Sequence, residues 1–494
     1  MKKNFLSVVA LLGVVFSLAS CDNNTTSGST TDNNQKIKVE YWYRKNDETQ
    51  TVLEGFERAF EAQNSDIDII LTPRDEGNYN ELAETVIQGF AVDNYPNMVQ
   101  AYPDNVANFM FNRPGIVVNM EEYINSSDPE LALSQEELKD YIGFETGSNY
   151  VEEGTFSLPY YSSTEVMYYN ADVMIGMNLK EIDASINDGR PLDEDYMNNL
   201  TWEEIFNKLG PAITKHDEGL PEEKKYLRTD KYEAEGATDY YSLMDWESDD
   251  NLYITMSEQY GVPYSEIKEG VGTATLFDSS DAKQFVKDLS IQAQKHYLAT
   301  MGSTGDIYTS ELLFSRQCLL NINSTAGAGW LKTSDFEIGV APIPQAEGQD
   351  KKVISQGASI CILDRGEEEN EATWKWFKFI SNKENAVTWA LNTSYLPFRK
   401  SVYDNAAYKE LISDTTAEKG TTDYIVNRAA EVVATYSEND MYFTAPAYAS
   451  NSGTSSKLRE AAAGLAIDAL SYKGGEPSDE VINGWFEKAK NNAL

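Results

Sequence analysis

Short strands and amphipathic helices alternate beyond residue 36, and this order restricts the fold more than any other feature. Apolar and polar residues alternate in Ile37–Tyr41, as in a half-buried strand, whereas Leu53, Phe56 and Phe60 share one helical face. The predicted elements, in order, are a strand at 37–41, a helix at 51–62, a strand at 67–71, a helix at 79–90 and a strand at 98–102. This order predicts an α/β fold with a parallel sheet and right-handed crossovers.

Candidate ligand-binding residues follow two of these strands. In open parallel sheets, ligands bind beyond the carboxyl ends of the strands. Tyr79 and the segment Tyr102-Pro103-Asp104 lie in such loops or at the adjoining helix starts. The dipeptide Thr72-Pro73 is expected to end the second strand, because proline cannot donate a hydrogen bond to a neighbouring strand.

The middle of the chain gives fewer predictions. Capping-box patterns at Ser134–Glu137 and Thr201–Glu204 predict two helix starts. Between 216 and 272 no periodicity predicts a fold. The acidic residues Asp245 to Asp250 alternate like the start of a calcium loop, but Asp250 stands where an EF-hand needs glycine. We therefore interpret that run as solvated acid.

The amino terminus has the pattern of a secretory signal. Two lysines precede an apolar run from Phe5 to Leu18, too short for a membrane span of roughly 20 residues. The sequence Leu18-Ala19-Ser20-Cys21 resembles the bacterial lipobox, which implies an acylated Cys21 and an extracytoplasmic, membrane-anchored protein. The alternative is a soluble secreted protein with an incidental Cys21. We predict a signal peptide at 1–20 and, because 22–35 has a polar linker composition, a flexible tether at 21–36.

Composition excludes several functions. A net charge of −40 argues against nucleic acid as a partner, because phosphate backbones need clustered Lys and Arg. The chain has two histidines and, besides Cys21, only Cys318 and Cys361, which we expect to be buried thiols rather than a disulfide. No metal site, no cofactor and no histidine-dependent catalysis are therefore expected. The roughly 460 residues beyond the tether suit two lobes.

Several segments, in order, resemble the type II periplasmic binding proteins of ABC importers. They are Val39–Tyr43, Leu158–Asn170 and Lys383–Lys400. The resemblance is greatest to the branch that binds sn-glycerol 3-phosphate and its diesters, through Gly77-Asn78-Tyr79, 96–102, 162–170, 318–324, 356–359, Ser394-Tyr395-Leu396-Pro397 and 457–459. It implies a two-lobe fold with a hinge and an interlobe ligand cleft.

Within that branch, matching positions hold the ligand, and the resemblance implies this role for Tyr79, Ser163, Ser324, Gly357, Tyr395 and Arg459. Their chemistry is consistent with it. Two serine hydroxyls, a glycine N–H and a guanidinium can donate to phosphate oxygens, while tyrosine rings can cover a small polyol. Each residue also has an ordinary alternative role, in packing, turns, strand kinks or solvation.

One departure from the branch affects the ligand. The branch places a carboxylate directly after the strand tyrosine, whereas Tyr102 is followed here by Pro103, with Asp104 one residue later. Asp104 can replace the missing acid after a small loop shift, or this end of the site suits another ligand. Trp246 is a further candidate for stacking on a ligand, with a core or surface position as its alternative.

The resemblance implies the domain limits and the function. Lobe one is expected at 37–158 with about 358–405, and lobe two at 164–355 with about 406–494. The chain would cross between the lobes near Leu158–Ser163 and Ser355–Ala358. The expected function is the lipid-anchored, non-enzymatic binding subunit of an ABC importer, which delivers a phosphate- or polyol-bearing solute to membrane permease subunits. The alternatives are an oligosaccharide-binding subunit, a secreted glycosidase and a surface adhesin.

Overall fold

Two five-stranded sheets organise the chain. The first contains, in spatial order, the strands Ile67–Arg74, Ile37–Arg44, Met98–Ala101, Ser359–Ile362 and Leu158–Pro159. Its first three strands are parallel, as the sequence predicts, and Ser359–Ile362 runs antiparallel to Met98–Ala101. The computed structural model describes residues 36–75, 79–143, 150–230, 240–331, 335–393, 395–413, 417, 421–451 and 453–493. The predicted signal peptide, Cys21, and motif residues Gly77, Asn78 and Ser394 lie outside the described residues.

Amphipathic helices cover this first sheet. Asn46 caps the first of them by accepting a hydrogen bond from the Thr49 N–H, and Phe56 and Phe60 are buried on its inner face. The later part of the chain returns to the same core with the indole rings of Trp374, Trp376 and Trp389. The helices are Asp47–Glu61, Tyr79–Phe90, Pro103–Asn112, Glu367–Ile380 and Lys383–Asn392.

The second sheet contains, in spatial order, the strands Ile338–Ala341, Glu165–Asn170, Leu320–Ser324, Met244–Trp246 and Leu298–Thr300. Glu165–Asn170 is antiparallel to both of its neighbours and is buried along its whole length. The longer helices that contribute buried apolar residues to this core are Asp249–Tyr260, Ser280–Gln294, Thr422–Glu438, Ser455–Ser471 and Asp479–Ala493.

Short helices and small strand pairs complete the fold. The shorter helices are Glu121–Ile124, Gln135–Asp140, Ala171–Met174, Glu194–Asn198, Trp202–Glu204, Gly210–Asp217, Thr309–Phe314, Lys400–Tyr403 and Ala406–Ile412. The described residues also form three small strand pairs, Ser265–Lys268 with Val271–Ala274, Val353–Ile354 with Tyr442–Phe443, and Ala449–Ser450 with Gly453–Thr454. No described helix has the length and apolar character needed to span a bilayer.

Two expectations about local structure are corrected. The second strand continues through Pro73 to Arg74, because it lies at the sheet edge, where the missing N–H removes no interstrand bond. The acidic run is not uniformly solvated, since Asp245 is fully buried.

Two other local expectations are confirmed. The capping box at Ser134 forms, with reciprocal bonds to Glu137. Cys318 and Cys361 are both free and buried, as expected.

Two chain segments cross side by side between the sheets. The N–H of Ser163 donates to the carbonyl of Gln356 at 3.0 Å, and the reverse bond is also 3.0 Å. Tyr161 donates in the same way to Ala358. The crossings predicted near Leu158–Ser163 and Ser355–Ala358 therefore form an antiparallel pair.

Candidate ligand-binding cleft

A cavity of about 400 Å³ lies where the two sheets face each other. One wall is formed by the first turns of helices Tyr79–Phe90 and Pro103–Asn112, next to the first sheet. The opposite wall is formed by helices Asp249–Tyr260 and Ser455–Ser471, and the paired crossing segments form the floor. The residues that line it include Tyr79, Tyr102, Asp104, Tyr161, Ser162, Asp250, Asn251, Gln356, Gly357 and Arg459. The cavity therefore combines aromatic rings, carboxylates, amides and one guanidinium.

Arg459 connects the two walls. It lies on Ser455–Ser471, where its Nη1 donates to Asp250 Oδ2 at 2.6 Å and to Asn251 Oδ1 at 2.9 Å. Its Nε lies 3.4 Å from Oδ2 of Asp104, which belongs to the opposite wall. The Arg459 side chain is a third exposed and lines the cavity.

The two carboxylates hold Arg459 firmly in its charged form. Loss of water lowers the pKa of Arg459, but Asp250 and Asp104 outweigh this effect and raise the pKa above its ordinary value. Burial raises the pKa of Asp250, but Arg459 and the hydrogen bonds from Ser248 and the Asn251 N–H outweigh burial, so this pKa lies below its ordinary value. The group of two carboxylates and one guanidinium thus has a formal charge of −1.

Tyrosine rings form the aromatic side of the cavity. Tyr79 and Tyr102 meet edge to face at 4.7 Å, and Arg44 lies over the Tyr79 ring at 4.9 Å. The Tyr79 hydroxyl accepts a hydrogen bond from Gln100 Nε2 at 3.2 Å and lies 3.5 Å from the Tyr395 hydroxyl. Tyr395 is placed behind this wall, against Tyr161, rather than on the cavity surface.

At the floor of the cavity, the main chain at Gly357 lies very close to the main chain at Tyr161. Its φ of +112° lies in a region that side chains disfavour, and a Cβ there would be 1.9 Å from the Tyr161 carbonyl oxygen. Only glycine allows this approach.

The structure brings some predicted site residues together and separates others. Tyr79, Asp104, Gly357 and Arg459 line the cavity, with Tyr395 directly behind. Ser163 and Ser324 are not among the lining residues. Ser163 pairs with Gln356 through its backbone, and the Ser324 hydroxyl accepts a bond from the Ala326 N–H, whereas Ser162 does line the cavity.

Trp246 is a core residue, not a ligand platform on the cavity surface. Its side chain is fully buried, and its ring stacks on Trp202 with centroids 5.9 Å apart. Its Nε1 donates to Oε1 of Glu165 at 2.8 Å. The core alternative considered for this residue therefore holds.

Two residues that contact Arg459 were missed by sequence reasoning. Asp250 belongs to the run predicted to be solvated acid, and no sequence pattern marks Asn251, yet both contact Arg459. The partner lies 209 residues away in sequence, so no local pattern marks the pair. A Ser-Asp-Asp-Asn helix start, with Ser248 as the cap, is the sequence signal that places Asp250 in the first turn of a helix.

Comparison with solved structures identifies the fold. The glycerophosphocholine complex of UgpB from Mycobacterium tuberculosis is 16% identical, with a TM-score of 0.61 over 92% of this chain and 96% of that one. The cyclic α-maltosyl-1,6-maltose binding protein from Arthrobacter globiformis is 14% identical, with a TM-score of 0.62 over 92% and 98%. The chain thus has the two-lobe type II periplasmic-binding-protein fold.

Sequence comparison identifies the family. The sn-glycerol-3-phosphate-binding periplasmic protein UgpB of Escherichia coli strain K12 is 23% identical over 384 residues, which cover 74% of this chain and 75% of that protein. The Shigella dysenteriae protein of the same name is also 23% identical, over 382 residues. The family model described as bacterial extracellular solute-binding protein matches residues 58–417. This chain therefore belongs to the bacterial extracellular solute-binding proteins.

Proposed function

We propose that this substrate-binding protein of an ABC importer captures a small polyol-bearing solute, with a glycerophosphodiester as the best candidate. The proposal rests on the position of Arg459, which contacts Asp250 on its own wall and Asp104 on the opposite wall of the cavity. A guanidinium can donate two hydrogen bonds to a phosphate, and carboxylates accept hydrogen bonds from neighbouring hydroxyls.

The charge of the site favours a diester over glycerol 3-phosphate. A phosphomonoester carries about −1.5 to −2 charges at neutral pH. It would meet a group of Asp104, Asp250 and Arg459 that already has a formal charge of −1. A phosphodiester has a single charge, and a cationic head group such as choline offsets it, with carboxylates and tyrosine rings to receive the cation.

The volume of the cavity favours a small ligand. Ligand pockets range from roughly 300 to 1,000 Å³, and about 400 Å³ lies near the lower end. A short sugar remains the second candidate, because Tyr79 and Tyr102 offer aromatic surface and Asp104 and Asp250 offer carboxylates, the lining that sugars require. A long oligosaccharide does not suit this volume.

Transport requires closure and delivery. In this proposal, residues 37–158 and about 358–405 form lobe one, and 164–355 and about 406–494 form lobe two. The lobes close at the paired crossings because the ligand bonds to both walls only in the closed state. Acylated Cys21 and the tether keep the protein at the membrane, where the loaded form docks on permease subunits.

A thermal-shift screen tests the ligand. The tetherless protein is heated with glycerophosphocholine, glycerol 3-phosphate, maltose and buffer alone. At 100 times its dissociation constant a ligand stabilises the folded state by about 2.7 kcal/mol. We expect the largest shift with glycerophosphocholine; a shift with maltose alone would reject the phosphodiester.

Variants and an activity assay complete the test. Arg459→Ala should remove the glycerophosphocholine shift, whereas Lys457→Ala, an exposed residue on the same helix, should keep it. A shift that survives Arg459→Ala would exclude Arg459 from the site. Release of sugar from glycosides by the purified protein would replace the binding role by that of a glycosidase.

A further inference from the structure

Glu165 is a buried carboxyl group that the proposed binding mode does not use. It begins the strand Glu165–Asn170 and is 1% exposed. Its Oε1 accepts hydrogen bonds from Trp246 Nε1 at 2.8 Å and from Asn251 Nδ2 at 3.1 Å. Its Oε2 has no hydrogen-bond partner among the described residues. A carboxyl group in such surroundings needs an explanation, because burial of an unpaired charge is costly.

Asn251 connects Glu165 to the cleft. Its Nδ2 donates to Glu165, while its Oδ1 accepts from Arg459 Nη1 at 2.9 Å. A guanidinium only donates, so the amide oxygen must face Arg459 and the amide nitrogen must face Glu165. The orientation of Asn251, and through it the direction of Arg459, therefore depends on an acceptor at position 165.

We propose that Glu165 is a positioning residue, which orients Arg459 through Asn251, and that loss of its proton weakens the hold of Arg459 on an anionic ligand group. The second part rests on the proposed function, because it requires that Arg459 contacts the ligand. An ionised Glu165 would be the third carboxylate around one guanidinium, beside Asp250 and Asp104. Each added negative charge repels a ligand phosphate.

The surroundings of Glu165 bring the pKa of its carboxyl group into an experimentally accessible pH range. Burial raises the pKa of Glu165 to about 8, Asp250 adds to this effect, and the Trp246 hydrogen bond and Arg459 oppose it. The charged groups that face it are Asp250 and Arg459, from two helices. The Tyr436 hydroxyl faces it from Thr422–Glu438. The neighbouring strand Leu320–Ser324 contributes uncharged Ser324, and the next strand, Met244–Trp246, contributes the Trp246 indole.

The indole N–H of Trp246 reports the state of Glu165 without any ligand. In ¹⁵N-labelled protein its NMR signal, assigned with Trp246→Phe, is followed from about pH 6 to about pH 10. We expect a titration that is absent in Glu165→Gln, which keeps the acceptor but cannot ionise. Because coupling is reciprocal, Arg459→Gln should raise the midpoint by about 0.5 to 1.5 pH units.

A signal that does not titrate, or a midpoint that Arg459→Gln leaves unchanged, would overturn the proposal. Asn251→Ala provides an independent variant, and it should reduce the effect of Arg459→Gln on the midpoint. Saturating glycerophosphocholine should also raise the midpoint, and its dissociation constant should rise several-fold from about pH 7 to about pH 9 only when Glu165 is present. If Arg459→Gln shifts the midpoint but glycerophosphocholine does not, the positioning role stands and the proposed phosphate contact fails.

Discussion

Asp104 and Arg459 face each other across the cleft, with Oδ2 of the carboxylate 3.4 Å from Nε of the guanidinium. Asp104 lies at the start of helix Pro103–Asn112, next to the first sheet. Arg459 lies on helix Ser455–Ser471, which packs against helix Asp249–Tyr260 next to the second sheet. One ion pair thus joins the two walls. It also sets the charge that an entering ligand meets.

Removal of the Asp104 charge should change ligand selectivity. Asp104→Asn makes the group around Arg459 neutral, so we expect glycerol 3-phosphate to bind about tenfold more tightly relative to glycerophosphocholine. Isothermal titration calorimetry with both ligands measures the ratio. Glu84→Gln, an exposed carboxylate on Tyr79–Phe90, is the control and should leave the ratio unchanged. An unchanged ratio in Asp104→Asn would contradict the charge argument.

A side chain at position 357 should disrupt the crossing. In Gly357→Ala the new Cβ meets the Tyr161 carbonyl oxygen, at a φ that alanine disfavours. We expect a loss of about 2 to 4 kcal/mol in the free energy of unfolding, measured by urea denaturation. The matched control is Gly464→Ala, where the added methyl group meets nothing within 4 Å beyond its chain neighbours and the backbone of its own helix. That variant should be stabilised by about 0.5 to 1 kcal/mol.

Two adjacent serines should differ in their effect on binding. Ser162 lines the cavity, whereas Ser163 is engaged with Gln356 through its backbone. Loss of one hydrogen bond to a ligand costs about 0.5 to 1.5 kcal/mol, so Ser162→Ala should weaken glycerophosphocholine binding about three- to tenfold. Ser163→Ala should bind like the unchanged protein. If Ser163→Ala weakened binding and Ser162→Ala did not, the ligand-binding serine would be Ser163, as the sequence resemblance implies.

Buried Asp245 should make stability fall as pH rises. Burial raises the pKa of Asp245 from 3.8 to about 7, against a hydrogen bond from Ser242. The folded protein therefore holds a proton that the unfolded chain has released. Stability from this group is complete below about pH 4, declines up to about pH 7 and is constant above.

The variant Asp245→Asn should remove this decline, which is on the order of 2 to 4 kcal/mol. Urea unfolding at several pH values measures the slope. Glu487→Gln, an exposed carboxylate on the last helix, should retain the slope of the unchanged protein. An equal slope in Asp245→Asn would show that Asp245 is not the titrating group.

The sequence predicted those parts of the molecule that depend on local patterns. Periodicity predicted the parallel order of the first sheet, and Tyr79–Phe90 has the predicted bounds. The segment 216–272 could not be predicted, because its helix Asp249–Tyr260 is buried on most sides and thus has no apolar stripe. Pro73 showed that the effect of a proline depends on whether its strand lies at the sheet edge.

The candidate site was predictable to the extent that the resemblance covered it. Arg459 and Gly357 were predicted in this way, and both line the cavity. Asp250 and Glu165 were not, because their environments depend on residues distant in sequence. A carboxylate that reaches a guanidinium 209 positions away is indistinguishable, in sequence, from one that reaches water.

The pairing of the crossing segments limits how the two halves can move. Backbone hydrogen bonds between Ser163 and Gln356, and the tight approach of Gly357 to Tyr161, fasten one strand of the connection to the other. Neither strand can swivel without its neighbour. In the proposed closure these paired bonds would resist twist, and together with the third passage of the chain after about residue 405 they would favour a bend about one axis, along which Asp104 and Arg459 separate and meet again.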